Sequence, residues 1–285
     1  MTKDIKAIIP AAGFGTRFLP LTKAQSKEML PVVNRPTIQW VVEEAVDAGI
    51  TDILIITGRG KNAIENHFDK SVELELALEE AGKHDELKRV RQISELANIH
   101  YIRQKTPRGL GDAVLCARQH VGDSAFVVML GDTICSGEPN CTAGLIDIYE
   151  EKATSVFAVM DVLPNETERY GIIDGPSLGS DIWQVDNLIE KPVPNLAPST
   201  LGILGRYLFT PDIFNYQLRV KSGVGGEIQL TDAMALMAKE TEMLAWRFPG
   251  ERFDIGTLED WFKAHTTLIL RSKWGTSFEK WLQEK

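Results

Sequence analysis

The sequence predicts an α/β protein: a mostly parallel sheet flanked by helices, with a smaller part of mixed β/α character after it. Three observations carry this. In the first half, short apolar runs alternate with helix-periodic segments, the order that closes a parallel strand pair through a right-handed crossover. The run at residues 125–130, AFVVML, is apolar throughout, as expected of a strand covered on both faces. After about residue 165 the texture changes to short strands separated by Gly, Pro, Asp and Asn, which read as hairpins.

In chain order, residues 5–10 read as the first strand, 11–28 as a long loop and 29–33 as a short strand. Pro36 suits the first turn of a helix. Ile38, Val41, Val42, Ala45 and Val46 follow at helical spacing, and Gly49 closes it. Residues 52–57, DILIIT, are a second buried strand. Residues 61–95 are charged and helix-prone, and predict two or three helices outside the sheet. A third strand is expected at 99–103, a helix at 111–120, the fourth strand at 125–130, a helix at 142–153 and a fifth strand at 156–160. The second half offers strands at 170–174, 182–185, 188–191 and 201–209. Pro211 opens a helix to about 219, residues 223–226 read as a flexible loop, and 230–240 as a helix with Thr231 as its N-cap. A strand at 245–248 and helices at 257–272 and 277–283 complete the chain. No repeat or linker is visible, so residues 1–285 read as one compact unit.

Composition narrows the function. The chain has 285 residues, 44% hydrophobic and 25% charged, with a formal net charge of −9. That balance argues against a broad nucleic-acid or anionic-membrane surface, which needs a basic face. Cys116, Cys135 and Cys141 form no CxxC pair, and sparse cysteines suit a reducing compartment. No apolar run approaches the roughly 20 residues that span a bilayer. The N-terminal run stops at Gly13 after following Asp4, so it reads as a strand and not as a signal peptide. The expected location is the cytoplasm. The five histidines show no metal or triad spacing.

Chemistry concentrates between Lys6 and Pro31, KAIIPAAGFGTRFLPLTKAQSKEMLP. A strand running into small residues lets backbone N–H groups approach a phosphate. Arg17 and Lys27 add a forked and a point charge. The dinucleotide fingerprint fails here, because Phe18 stands where its third glycine belongs, and no P-loop string occurs. A nucleoside triphosphate site is the expectation; a tight turn with solvated charges is the alternative. On their own residues, Gln104 is a polar residue after a strand, Asp132 a turn or cap aspartate, and Glu190-Lys191 a solvated hairpin end.

The string AAGFGTRFLP with SKEMLP resembles the sugar-nucleotide pyrophosphorylases. ENHFD, RGLGDAVLCA, EKP, GRY and EIQLTDA are similar to the branch of that family that uses UTP and glucose 1-phosphate. The resemblance runs from residue 6 to about 283. It implies a Rossmann-like, mostly parallel mixed sheet, the nucleotide-diphospho-sugar transferase fold. The nucleotide-binding part would span about 1–165, the sugar-phosphate part 166–256 and C-terminal helices 257–285.

The resemblance also implies roles. The Ala11-Ala12-Gly13 backbone holds the nucleoside, Gly15, Thr16 and Arg17 wrap the triphosphate, and Lys27 reaches its phosphates. Gln104 reads the uracil edge with Gly109 beside it, and an amide can both donate and accept there. Asp132 and Asp254 hold Mg²⁺; Gly131 stands where this branch usually has proline. Tyr170 and Gly171 lie against the hexose, Glu190 accepts from sugar hydroxyls, and Lys191 pairs with the sugar phosphate. Ile203 and Glu227 line the same side. The implied reaction is in-line attack of glucose 1-phosphate on the α-phosphorus of UTP, by a homodimer or homotetramer to which Trp261, Trp274 and Trp281 could contribute. Use of dTTP or another hexose phosphate is the alternative, as is a catalytically weak regulatory paralogue. The retained Gly15-Thr16-Arg17, Lys27 and paired aspartates argue against the last.

Overall fold

In the computed structural model of the chain, the described residues are 5–284 except Ser222, Val224 and Gly225. The loop expected at 223–226 falls partly outside them, as does Asp4. The strands are β1 (Lys6–Ala11), β2 (Pro31–Val32), β3 (Arg35–Pro36), β4 (Asp52–Thr57), β5 (Asn98–Arg103), β6 (Phe126–Met129), β7 (Thr133–Ser136), β8 (Ser155–Asp161), β9 (Gly171–Asp174), β10 (Ser177–Gly179), β11 (Ile182–Gln184), β12 (Asn187–Glu190), β13 (Leu201–Phe209), β14 (Met243–Arg247) and β15 (Glu251–Asp254). The helices are α1 (Thr37–Asp47), α2 (Asn62–Phe68), α3 (Val72–Glu80), α4 (His84–Ser94), α5 (Leu110–Leu115), α6 (Arg118–Val121), α7 (Cys141–Lys152), α8 (Ile213–Gln217), α9 (Leu230–Ala238), α10 (Leu258–Leu270) and α11 (Gly275–Gln283).

One 11-stranded sheet runs β10-β11-β14-β8-β13-β6-β1-β4-β5, and the β9–β12 hairpin joins it through β13. β6, β1, β4 and β5 are parallel, as their crossover spacing predicts. β13 is antiparallel to β6 and β8. Alternation along the parallel strands builds two cores: Ile8, Leu54 and Val128 face one way, and Ile9, Ile55 and Val127 the other. A third cluster packs Phe18, Leu30 and Val32 of the N-terminal loop region against Ile134, Ile255 and α10.

The structure departs from expectation in several places, the short strands β3 and β10 among them. The helix at 111–120 divides into α5 and α6, because Cys116 N–H is shared between Asp112 O and Ala113 O and the next bond, Ala117 to Val114, is an i−3 bond. The helix expected at 142–153 begins at Cys141, with Asn140 as cap accepting from Ala143 N. Pro36 stands one place before α1, at its N-cap. Thr231 is not an N-cap but lies within α9, whose cap is Gln229; its hydroxyl is committed to Glu190. β7 and β15 were not anticipated: each is four residues long, and they pair only with each other.

Candidate active site

β1 delivers the chain at Ala11 into the small-residue loop, on the carboxyl side of the parallel strands, where open α/β sheets gather ligands. Gly15 precedes a short turn at Thr16–Phe18, and buried Phe18 anchors that turn in the third core cluster. Thr22 Oγ1 donates to Gly15 O over 2.7 Å, folding the loop back so that the Lys27 stem packs beside Gly15. Thr16 and Arg17 remain exposed, and among the described residues no carboxylate pairs with Arg17.

Lys27 points inward and donates to Asp132 Oδ2. Burial works to lower the Lys27 pKa, but Asp132, Glu28 and Asp254 outweigh it and hold the ammonium above its usual range. Behind it, Glu28 is buried and receives Lys61 Nζ at 2.8 Å; burial still leaves its carboxyl above the ordinary range.

Asp132 sits in the turn between β6 and β7. Burial pushes its pKa up, but the facing Lys27 prevails and holds it below the carboxylate norm. The β7–β15 pair places Thr133 opposite Asp254, and Ile255 N–H donates to Asp132 O at 2.8 Å. Two carboxylates 122 positions apart in sequence thereby become neighbours. Asp254 titrates high, through burial first, against the opposing pull of Arg252 and with the added repulsion of Asp132. Arg252 lies 3.4 Å from Asp254 and Arg169 3.6 Å. Hard oxygen donors with residual mutual repulsion fit a small divalent cation such as Mg²⁺.

Arg252 connects this corner to the second half. Its guanidinium reaches Tyr170 Oη at 3.3 Å and donates to Leu204 O at 2.9 Å. Tyr170 O accepts from Lys191 N–H, and Gly171 registers opposite Glu190. A Cβ on Gly171 would sit 2.8 Å from Ile203 Cδ1, 3.2 Å from Thr231 Oγ1 and 3.3 Å from Glu190 Oε2; only glycine leaves that floor open. Glu190 accepts from Thr231 Oγ1 at 2.6 Å and lies 3.3 Å from Lys191 Nζ. The Lys191 side chain is 51% exposed, and its backbone takes a positive φ of 48°.

Gln104 lies at the end of β5. Its Nε2 donates to Asp112 Oδ2 at 2.7 Å and to Gly109 O at 3.3 Å. Arg108 Nη2 holds the other Asp112 oxygen at 2.6 Å. Gly109 has φ +100°, and a Cβ there would be 2.7 Å from Ile228 O. Ile228 N–H donates to Arg108 O, and Gly111 N–H to Ile228 O. The segment containing Glu227 thus lies over the 108–111 turn and leads directly into Thr231 and Glu190.

The structure therefore brings Lys27, Asp132 and Asp254 together, Tyr170, Gly171, Glu190, Lys191 and Ile203 together, and Gln104 with Gly109. Three residues with no expected role, Arg252, Thr231 and Asp112, join these groups. Arg252 lies two residues before Asp254 on β15, hence on the same face, but the sequence does not reveal that strand. Thr231 and Asp112 carry no comparable local signal.

The Nucleotidyl transferase family model matches residues 6–270. The chain is 54% identical over 256 residues to a Bacillus subtilis (strain 168) protein named UTP–glucose-1-phosphate uridylyltransferase, covering 90% of this chain and 88% of that one. A UDP-glucose pyrophosphorylase solved in complex with UDP-glucose superposes with a TM-score of 0.87 at 38% identity, over 94% of this chain and 99% of the other. A UTP-bound enzyme of the same kind from Acinetobacter baumannii gives 0.90 at 36% identity, over 98% and 99%.

Proposed function

Because the chain belongs to the nucleotidyl transferase family, we propose that it converts UTP and α-D-glucose 1-phosphate into UDP-glucose and pyrophosphate. The observation that carries this reading is the linked run Lys27–Asp132–Asp254–Arg252–Tyr170, which continues through backbone contacts to Glu190 and Lys191. It offers cations at two ends of one site and, among the described residues of that run, no Ser–His or Cys–His pair between them. That is the requirement of direct transfer between two phosphates, where placement and charge neutralisation do the work.

A phosphate oxygen of glucose 1-phosphate attacks the α-phosphorus in line. The new P–O bond forms as the bond to the bridging β-phosphate oxygen breaks, and pyrophosphate leaves with that electron pair. The Ala11-Ala12-Gly13 backbone and Gln104 with Gly109 seat the nucleoside. Gly15, Thr16, Arg17 and Lys27 hold the triphosphate. Lys191 holds the attacking phosphate against the repulsion between two polyanions. Glu190, held by Thr231, accepts from sugar hydroxyls over the open floor at Gly171, beside Tyr170 and Ile203. Members of the family generally use a divalent metal; here Asp132 and Asp254 would hold Mg²⁺, which when bound supplies charge neutralisation on phosphate oxygens.

The reading includes a nucleotide part at 1–165, a sugar-phosphate part at 166–256 and C-terminal helices at 257–285. It also includes a homodimer or homotetramer and a cytoplasmic location. Exposed Trp274 and Trp281 favour association through the C-terminal helices. No helix among the described residues is long and apolar enough to cross a membrane. A panel of nucleoside triphosphates against hexose 1-phosphates, scored by pyrophosphate release, tests the activity. Faster turnover with dTTP than with UTP would overturn the uridylyl assignment.

A further inference from the structure

At the amino ends of the parallel strands, on the side away from the glycine loop, three potential metal ligands converge. Asp52 opens β4, His100 lies on β5 and His120 on α6. Their ligating atoms all lie within 4.8 Å of one another. His120 Nε2 is 2.9 Å and His100 Nε2 3.7 Å from the same oxygen, Asp52 Oδ1. A tetrahedral ion with ligand distances near 2.0–2.2 Å separates its ligand atoms by about 3.4 Å, and these two separations bracket that edge. The other carboxylate oxygen, Oδ2, is 3.3 Å from Lys6 Nζ, and Lys6 also donates to His120 O at 2.8 Å. Lys6 thereby engages Oδ2 and leaves Oδ1 to the imidazoles. His100 is 55% exposed, and an open cavity of about 890 Å³ bordered by Asp52, Asn98, His100 and Tyr101 gives an ion and its remaining water ligands access.

We propose that Asp52, His100 and His120 form a second divalent-metal site, selective for Zn²⁺-like ions, distinct from the paired aspartates of the active site. Two imidazoles and one carboxylate suit Zn²⁺, Co²⁺ or Ni²⁺, whereas Mg²⁺ prefers oxygen donors alone. The ion would clip β4, β5 and α6 together and replace the His120–Asp52 hydrogen bond. The test is titration of the chelator-stripped full chain with Zn²⁺ by calorimetry and with Co²⁺ by visible absorption, in saturating Mg²⁺. One equivalent is expected to bind, with the visible bands of four-coordinate Co²⁺. His100→Gln removes an exposed ligand at little structural risk. It should weaken binding at least as much as the roughly 10–100-fold that loss of an outer-shell partner costs, and abolish the rise in Tm that Zn²⁺ gives the wild type. Asp132→Asn should retain the Zn²⁺ equivalent. Zn²⁺ binding that His100→Gln leaves unchanged, or that Asp132→Asn abolishes, overturns the proposal.

A separate observation concerns base choice and rests on the proposed function. Gln104 Nε2 contacts Asp112 Oδ2 and Gly109 O. A carboxylate and a carbonyl only accept, so the NH₂ of Gln104 is committed to both and its orientation is fixed. We infer that Asp112 is the positioning residue that presents Gln104 Oε1 to the base. An acceptor there suits the N3–H of uracil and opposes the unprotonated N3 of cytosine. Arg108 sharpens the test, because it holds Asp112 Oδ1. In Asp112→Asn that arginine keeps the amide oxygen and turns the new NH₂ toward Gln104; the present amide orientation is then held only by the longer 3.3 Å contact to Gly109 O, and the balance shifts toward the flipped one, which offers Nε2 to the base.

The expected result in Asp112→Asn is a fall in the UTP-over-CTP ratio of kcat/KM by roughly tenfold or more, the worth of one charge-assisted hydrogen bond. Arg108→Met leaves Asp112 as an acceptor and should leave that ratio unchanged. A proportional loss with both nucleotides in Asp112→Asn, or an equal shift in Arg108→Met, overturns the inference. A wild-type chain that fails to use UTP would instead count against the proposed function itself.

Discussion

Arg206 is the largest side chain fully enclosed by the fold, at 0% exposure, and its removal tests how the active-site turn is held. Its Nε and Nη2 bracket the Glu44 carboxylate at 2.7–3.1 Å. Nη2 also donates to Thr133 O at 2.7 Å, and Nη1 to Gly205 O at 3.1 Å and Leu130 O at 3.4 Å. Leu130 and Thr133 are the residues that bound the Gly131-Asp132 turn, so one guanidinium ties both ends of it to α1. Arg206→Met preserves apolar volume but strands the buried Glu44 carboxyl with only the 2.7 Å bond from Thr142. Breaking such a pair by removing one partner costs about 3–5 kcal/mol. At roughly 2–4 °C per kcal/mol for a chain approaching this size, Tm should fall by about 6–20 °C. Glu44→Leu in the same chain removes the stranded carboxyl and should restore at least about 1 kcal/mol. Differential scanning fluorimetry and urea titration of both variants check this, with turnover measured well below Tm. A shift under about 2 °C for Arg206→Met, or a double variant less stable than the single one, would refute the reasoning.

Lys191→Ala should raise KM for glucose 1-phosphate by roughly 10–100-fold, the worth of a hydrogen bond to a charged group, while KM for UTP stays put; a defect confined to UTP contradicts its assignment. Asp132→Ala should abolish metal-dependent turnover with the circular dichroism spectrum retained, and normal activity would refute the metal role. Gly144→Ala should destabilise by about 1–3 kcal/mol, since its Cβ would lie 2.5 Å from the Trp246 ring; an unchanged Tm would contradict that packing. His67 gives a pH signature: burial lowers its pKa below the ordinary 6.5. Above that value both states are neutral. As pH falls through it, the unfolded chain takes the proton first and the fold loses stability. His67→Gln should therefore flatten the decline of Tm between about pH 6.5 and 5, and parallel wild-type and variant curves would refute the sign.

The parallel half of the sheet was legible because its signal is local. The ILII of β4 is a continuous apolar run, and β1 runs visibly into small residues. β7 and β15 were not legible, because four residues of mixed polarity such as ERFD become a strand only when another short segment lies beside them. The candidate site divides along the same line. The glycine loop, Lys27, Gly109, Glu190 and Lys191 stand in recognisable strings, whereas the contacts that join the site span the chain: Lys27 to Asp132 across 105 positions, Arg252 to Tyr170 across 82, Thr231 to Glu190 across 41. Such pairs have no periodicity to betray them.

Arg206 shows why this matters. It stands in the middle of LGILGRYLF, and strand alternation places it against the core as firmly as it places Leu204 and Leu208. A buried cation there demands a buried anion, and the sequence offers no way to choose Glu44, 162 positions earlier, from the other acids of the chain. The choice is made by α1 crossing beneath the Asp132 turn. The parallel crossover, which the sequence does reveal, is thus what brings the counter-ion to the charge, and the geometry of the active-site turn follows from the pairing.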